Sequence, residues 1–110
     1  MRLRSDFWIS AYLRRCGIEG AFAVLRRRGA PEAGAIFIKI DRCDGNTALF
    51  GPAPLGIDET GERVFTRLHN EDWTDPAATE AQLQRQISYD PDLWVVEVED
   101  RLGRSFLDQP

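Results

Sequence analysis

Two short segments of alternating apolar residues constrain the fold of this 110-residue chain more than any other feature. The stronger is Leu93 to Asp100 (LWVVEVED), and the other is Ala35 to Arg42 (AIFIKIDR). Because successive side chains of a strand point to opposite faces of a sheet, Trp94, Val96 and Val98 are expected to face the core together. The isoleucines of the earlier segment fit the same face. The chain therefore requires a sheet with at least one buried face.

Turn residues and alternation predict two further strands. An Asp-Gly turn at residues 44–45 leads into a partner strand from Thr47 to Phe50. Proline cannot donate to a strand ladder, so Pro52 and Pro54 are expected to end that strand and a polar loop to follow over 55–62. Arg63 to His69 (RVFTRLH) is predicted as the third strand.

Three helices are expected around these strands. Apolar residues cover most of a helical circumference from Phe7 to Cys16, and Ser5 or Asp6 is placed to cap the first turn. A second helix is predicted over 19–28, with the three arginines of its last turn opposing the helix dipole before Gly29. Asp75-Pro76 predicts a third helix, ending near residue 88.

The resulting order is ααβββαβ, which predicts an α+β domain spanning residues 1–110. We expect about four strands in a single small antiparallel or mixed sheet, with the helices on one face. No apolar run approaches the roughly 18–20 residues that span a bilayer. Asp6 and the pair Arg14-Arg15 interrupt any signal-peptide core, so a cytoplasmic protein without membrane contact is expected.

The cysteine and histidine content argues against a metal centre or a disulfide framework. Two cysteines and one histidine cannot form a four-ligand zinc site, so Cys16 and Cys43 are expected to be reduced and packed as small apolar residues. His69 has no candidate nucleophile near it in sequence. The glycines do not form a phosphate-binding pattern. We therefore predict no catalytic residue, no metal and no cofactor.

An acidic group on the last predicted strand is the exception that chemistry could use. Glu97 and Glu99 leave the same face of the strand, and Asp100 follows. Such a group could serve a metal-dependent hydrolase through hard oxygen ligands. The alternative is a solvated pair, neutralised by Lys39 if the first and last strands are neighbours.

Charge is distributed unevenly along the chain. Residues 1–30 hold seven arginines against two acidic residues, whereas residues 31–110 hold seven basic against sixteen acidic residues. One interpretation is a nucleic-acid-binding module that uses Arg2, Arg4, Arg14, Arg15 and the triplet 26–28. We expect no nucleic-acid binding, because the whole chain carries a net charge of −4 and would be repelled.

Three sequence blocks together resemble a known family. They are SDFWISAYLRR at 5–15, LFGPAP at 49–54 and DPDLWVVEVEDR at 90–101, with AGAIFIKI at 33–40 between the first two. This combination resembles a small, mainly alphaproteobacterial family known as domain of unknown function 1491. The resemblance implies a stand-alone protein without a described activity, and it transfers no catalytic residue.

We therefore interpret the chain as a non-enzymatic interaction module. One small sheet cannot easily cover all the apolar residues of the first helix, and a surplus apolar helix face often belongs to an interface. The expected surface comprises Trp8, Tyr12, Arg14 and Arg15. A protein partner or a second copy of the chain is the expected occupant.

Overall fold

Five strands form one mixed sheet, and one helix lies on each of its faces. The computed structural model describes residues 3–57 and 61–107. The elements in chain order are α1 (Ser5–Ile18), β1 (Phe22–Arg27), β2 (Ile36–Asp41), β3 (Thr47–Ile57), β4 (Arg63–Arg67), α2 (Pro76–Tyr89) and β5 (Trp94–Glu99). The chain is α+β, as predicted, but four strands were one too few.

The strands are arranged in the order β1-β5-β2-β3-β4. The last strand in the chain lies between the first two, antiparallel to β1 and parallel to β2. β3 and β4 continue the sheet as antiparallel neighbours. The register places Lys39 directly beside Glu97 on one side, and Val24 beside Glu97 on the other.

The sheet separates two apolar clusters. On one face, α1 covers the even-numbered residues of β2 and β5, including Ile38, Trp94 and Val96. On the other face, Leu83 of α2 packs with an odd-numbered set that includes Val95. The expectation that the helices share one face was therefore wrong. Because β5 is covered on both faces, Val95 is as deeply buried as Trp94 and Val96.

The predicted second helix over 19–28 is instead strand β1. Its burial alternates residue by residue, with Ala23 and Leu25 towards α1 and Phe22 and Val24 on the opposite face. Gly20, with φ at +85°, is the middle residue of the three-residue connection from α1 to this strand, and its positive φ allows the chain to turn there. Tertiary pairing overrides local helix propensity here, because β5 needs a second neighbour and β1 supplies it.

Strand β3 continues beyond the prolines that were expected to end it. Its pairing with β2 runs only to Phe50, whereas its pairing with β4 includes Pro52 opposite Phe65. Beyond Phe50 one side of β3 no longer contributes to the β2 ladder, so proline is tolerated. The loop predicted over 55–62 begins later, since β3 runs to Ile57; residues 58–60 lie outside the described part of the chain.

The two helix starts differ from each other in how their first turns are satisfied. Asp75 caps α2 as predicted, and its carboxylate accepts a hydrogen bond from the Ala78 N–H at 2.9 Å. Ser5 does not cap α1 but is its first helical residue, after Arg4. The buried Ser5 hydroxyl donates instead to the Gly34 carbonyl at 2.7 Å, which ties α1 to the segment before β2.

Replacing Trp94 by alanine should unfold a large share of the molecules. Trp94 is 1% exposed, and its indole N–H donates to the Ala30 carbonyl at 2.8 Å. Truncating a buried aromatic side chain costs about 3–5 kcal/mol of the free energy of unfolding. Urea denaturation followed by circular dichroism measures this change. Tyr89→Ala is the control, because Tyr89 is 81% exposed and its truncation should cost less than about 0.5 kcal/mol.

Candidate functional site

Four charged side chains form a network between α2 and the sheet. Lys39, on the inner strand β2, lies with its Nζ atom 3.2 Å from Glu97 Oε1 and 4.0 Å from Glu80 Oε2. Arg26 of β1 donates to both carboxylate oxygens of Glu80 and lies 3.6 Å from Glu97. Two positive and two negative charges thus neutralise each other, and the network joins β1, β2, β5 and α2. The predicted neutralisation of Glu97 by Lys39 is confirmed.

The network lowers the pKa of one of its carboxyl groups strongly. Hydrogen bonds from the Arg26 guanidinium lower the pKa of Glu80 to about 2 from its ordinary 4.5, against the opposing effect of partial burial. The same contact raises the pKa of Arg26. Both groups are therefore charged at neutral pH. This arrangement holds α2 against the sheet.

The three acidic residues predicted on the last strand have three different surroundings. Glu97 belongs to the network and Glu99 is exposed, whereas Asp100 follows the end of β5 and is buried. Asp100 accepts hydrogen bonds from the Arg104 guanidinium at 2.9 and 3.0 Å, which lower its pKa. Among the described residues, no group of three or more His, Cys, Asp or Glu side chains could hold a metal ion.

The arginine triplet does not lie in a helix, so its expected role at a helix end was wrong. Arg26 belongs to the charge network, and Arg27 donates to the carbonyls of Pro91 and Leu93 at 2.9 and 3.0 Å. The Arg28 guanidinium lies over the Trp94 ring, 5.5 Å from the ring centroid. All three side chains thus contact the domain's own residues. Arg2 lies outside the described residues.

Helix α1 has an inner face that explains most of its apolar residues. Ile9, Tyr12 and Cys16 are buried against the sheet. Trp8 is half-buried and stacks on Tyr12 with ring centroids 5.0 Å apart; it also contacts Phe65 at 5.1 Å. Two of the four residues expected at an interaction surface, Trp8 and Tyr12, therefore contribute to the core cluster.

The Tyr12 hydroxyl holds the C-terminal segment in place. It donates to the Ser105 carbonyl at 2.6 Å, and burial raises the pKa of Tyr12. Phe106 and Leu107 pack against the same cluster, so the segment after β5 is docked up to residue 107. Burial also raises the pKa of the neighbouring Cys16 thiol, as expected for a reduced structural cysteine. Cys43, in contrast, is exposed in the β2–β3 turn rather than packed.

The opposite face of α1 carries a second row of residues, three of four apolar, that is exposed to solvent. Phe7, Ala11, Arg14 and Ile18 follow the spacing i, i+4, i+7, i+11, which places them along one side of a helix. We call these four residues the outer stripe. Phe7 is 56% exposed and Ile18 75% exposed. Arg14 lies within the stripe and Arg15 beside it, both exposed.

Family comparison places this architecture among known proteins. The chain matches a family model described as "Protein of unknown function (DUF1491)" over residues 3–108. The chain belongs to this family. The resemblance noted in its sequence blocks is thereby confirmed, and nearly the whole chain takes part in the match. No curated protein matches it.

Solved structures of similar proteins share the DUF1491 fold. Two are of a DUF1491 family protein from Caulobacter crescentus CB15: a crystal structure with 38% identity and a TM-score of 0.82, and an NMR structure with 40% identity and a TM-score of 0.81. Both similarities extend over all of this chain. They cover 97% of the chain in the crystal structure and 96% of the chain in the NMR structure. A protein from A. tumefaciens, known from a solution structure, is 37% identical to this chain in sequence, with a TM-score of 0.81. The similarity covers all of this chain and 98% of the A. tumefaciens chain.

The family description names no activity. Within residues 3–57 and 61–107, neither helix is long and apolar enough to cross a bilayer.

The outer stripe was not predicted from the sequence. Phe7 was recognised there as apolar, but it was not distinguished from the residues of the inner face. The signal was present, because the positions 7, 11, 14 and 18 repeat with helical spacing on the side opposite to 9, 12 and 16.

Acid should destabilise the fold partly through Glu80. Its pKa is depressed on folding, so its ion pair contributes stability above pH about 4.5 and loses it as the pH falls towards about 2. The urea midpoint should therefore fall over this range, and Glu80→Gln should flatten the fall. Glu80 is 37% exposed, so solvent screening keeps the effect modest.

A double-mutant cycle with Arg26→Gln and Glu80→Gln isolates this pair. Each single variant should lose the coupling, so the double variant should be more stable than the sum of the two single losses predicts. An identical pH dependence in the wild type and in Glu80→Gln would contradict the assignment.

Proposed function

We propose that this domain is a non-enzymatic interaction module whose outer stripe on α1 binds a protein partner. The observation that carries the proposal is the exposure of Phe7 and Ile18, eleven residues apart on one side of a helix whose other side already fills the core. Single exposed apolar residues are ordinary on protein surfaces, but a row along a helix is typical of helix-in-groove recognition.

The composition of the outer stripe fits close contact with another protein. Ala11 lies at its centre, where a small side chain lets a partner backbone approach, and Phe7 and Ile18 supply apolar area at the two ends. Aromatic anchors of this kind carry much of the binding energy in known interfaces. Leu3, just before the helix, is a further exposed apolar residue, at 47%.

Charge indicates the kind of partner. Arg14 interrupts the stripe and is exposed. Asp6, the acidic residue of the first turn, is already bonded by Arg4 at 3.1 Å. The surface is therefore apolar with one basic residue within it, and it fits an apolar groove whose rim carries a carboxylate. Self-association through this helix is the variant of the proposal in which a second copy supplies that groove.

The nucleic-acid alternative has less support. Arg26 and Arg27 are held by a carboxylate and by two backbone carbonyls of the domain itself, so phosphate would have to compete with contacts already made. A hydrolase based on the acidic group has less support as well. Glu97 is neutralised by Lys39, and Asp100 is paired with Arg104.

The double variant Phe7→Glu/Ile18→Glu tests the proposal. Tagged wild-type protein is used to recover partners from native cells, and the purified partner is then titrated by isothermal calorimetry. Binding should weaken by about 30-fold or more, because both apolar anchors are replaced by charges that an acidic rim repels. Circular dichroism should show an intact fold, since both positions are exposed.

The matched control is Tyr89→Glu/Leu102→Glu, which changes the same number of exposed apolar residues and the same net charge. It should bind as the wild type does. If the stripe variant binds with unchanged affinity, the outer stripe is not the binding surface. If the recovered partner is a second copy, sedimentation of the stripe variant should show loss of that complex.

A further inference from the structure

Strand β1 forms an open edge of the sheet. It pairs with β5 on one side, and in the part of the chain that the structure describes no strand flanks its other side. An edge strand presents backbone N–H and C=O groups that can pair with another strand. Proteins often protect such edges with prolines, charges or bulges. The residues from Phe22 to Leu25 contain none of these, since the irregularity in β1 lies between Leu25 and Arg27.

Two apolar side chains project from this unprotected half. Phe22 and Val24 lie on the face of the sheet that carries α2, opposite Glu99 and Glu97 of β5. Phe22 is 61% exposed and Val24 39% exposed. Neither residue belongs to the apolar cluster that α2 covers. This pair of residues lies on the opposite face from α1 and is independent of the outer stripe.

We infer that two copies of the chain pair through β1, antiparallel about a two-fold axis at Ala23, to form a continuous ten-stranded sheet. In antiparallel pairing, residues that face each other lie on the same face of the sheet. A two-fold axis at Ala23 sets Phe22 opposite the partner's Val24, and Val24 opposite the partner's Phe22. The spacing of the two exposed residues thus makes the strand complementary to itself, and each aromatic ring gains a β-branched neighbour.

The bulge and the charges select this arrangement. An axis one residue later would set Phe22 opposite the partner's Arg26, which is engaged by its own Glu80, and would include the irregular part of β1. Parallel pairing would align the arginines of the two copies. Closed two-fold pairing is also the commonest form of self-association.

The test is sedimentation of the wild type and of Phe22→Lys/Val24→Lys over a concentration series reaching about 1 mM, since a small edge contact is expected to bind weakly. The wild type should shift from a mass of 12.5 kDa towards twice that value. The variant places lysine opposite lysine twice across the axis, which should weaken dimerisation by about tenfold or more. It should still fold, because each new lysine lies beside Glu99 or Glu97 of its own β5.

Tyr89→Lys/Ile57→Lys is the control, with the same charge change at exposed positions away from β1. It should dimerise as the wild type does. A wild type that stays monomeric over the whole series overturns the inference, and so does a dimer that the β1 variant leaves intact. A dimer lost in Phe7→Glu/Ile18→Glu but retained in the β1 variant would assign the contact to the outer stripe instead.

Discussion

The structure depends on the enclosure of strand β5. It is flanked by β1 and β2 within the sheet, and a helix lies on each face of that sheet, so its backbone and all its side chains except the exposed Glu99 must find partners inside the domain. Trp94, Val96 and Val98 satisfy the α1 side by apolar packing. Glu97 faces the α2 side, where even its partly buried carboxylate would be costly without compensation. The two neighbouring strands supply the compensating positive charges, since Lys39 of β2 and Arg26 of β1 both lie close to the Glu97 carboxylate.

The parts of the fold set by local chemistry were predictable from sequence. The alternation of β2 and β5, the aspartate cap of α2 and the Asp-Gly turn each follow from a few neighbouring residues. The parts set by pairing between distant strands were not predictable from sequence. Residues 22–25 form an apolar run that suits a helix or a strand, and β5 decides between them only in three dimensions. The same holds for Pro52, which is tolerated because β2 no longer pairs with β3 at that point.

The candidate surface was predictable in kind but not residue by residue. The sequence indicated that α1 has more apolar residues than one sheet can cover. It could not show which of them the core uses, because that depends on the rotation of the helix over the sheet. The structure turns Tyr12 inward, half-buries Trp8 and leaves Phe7 and Ile18 outside. The acidic residues at the end of β5 illustrate the same limit. Asp100 directly follows Glu99 in the sequence, but its ion pair with Arg104 was not predicted from that position.

The central proposal is that the outer stripe of α1 binds a protein partner. Site-specific photo-crosslinking in native cells tests that claim most directly, with benzoylphenylalanine placed at position 7, 18 or 89. The probe at Phe7 and at Ile18 should give the same covalent adduct, and the probe at Tyr89, which is more exposed than either, should give none. An adduct from position 89 alone, or none from either position of α1, would contradict the claim that the outer stripe is the binding surface.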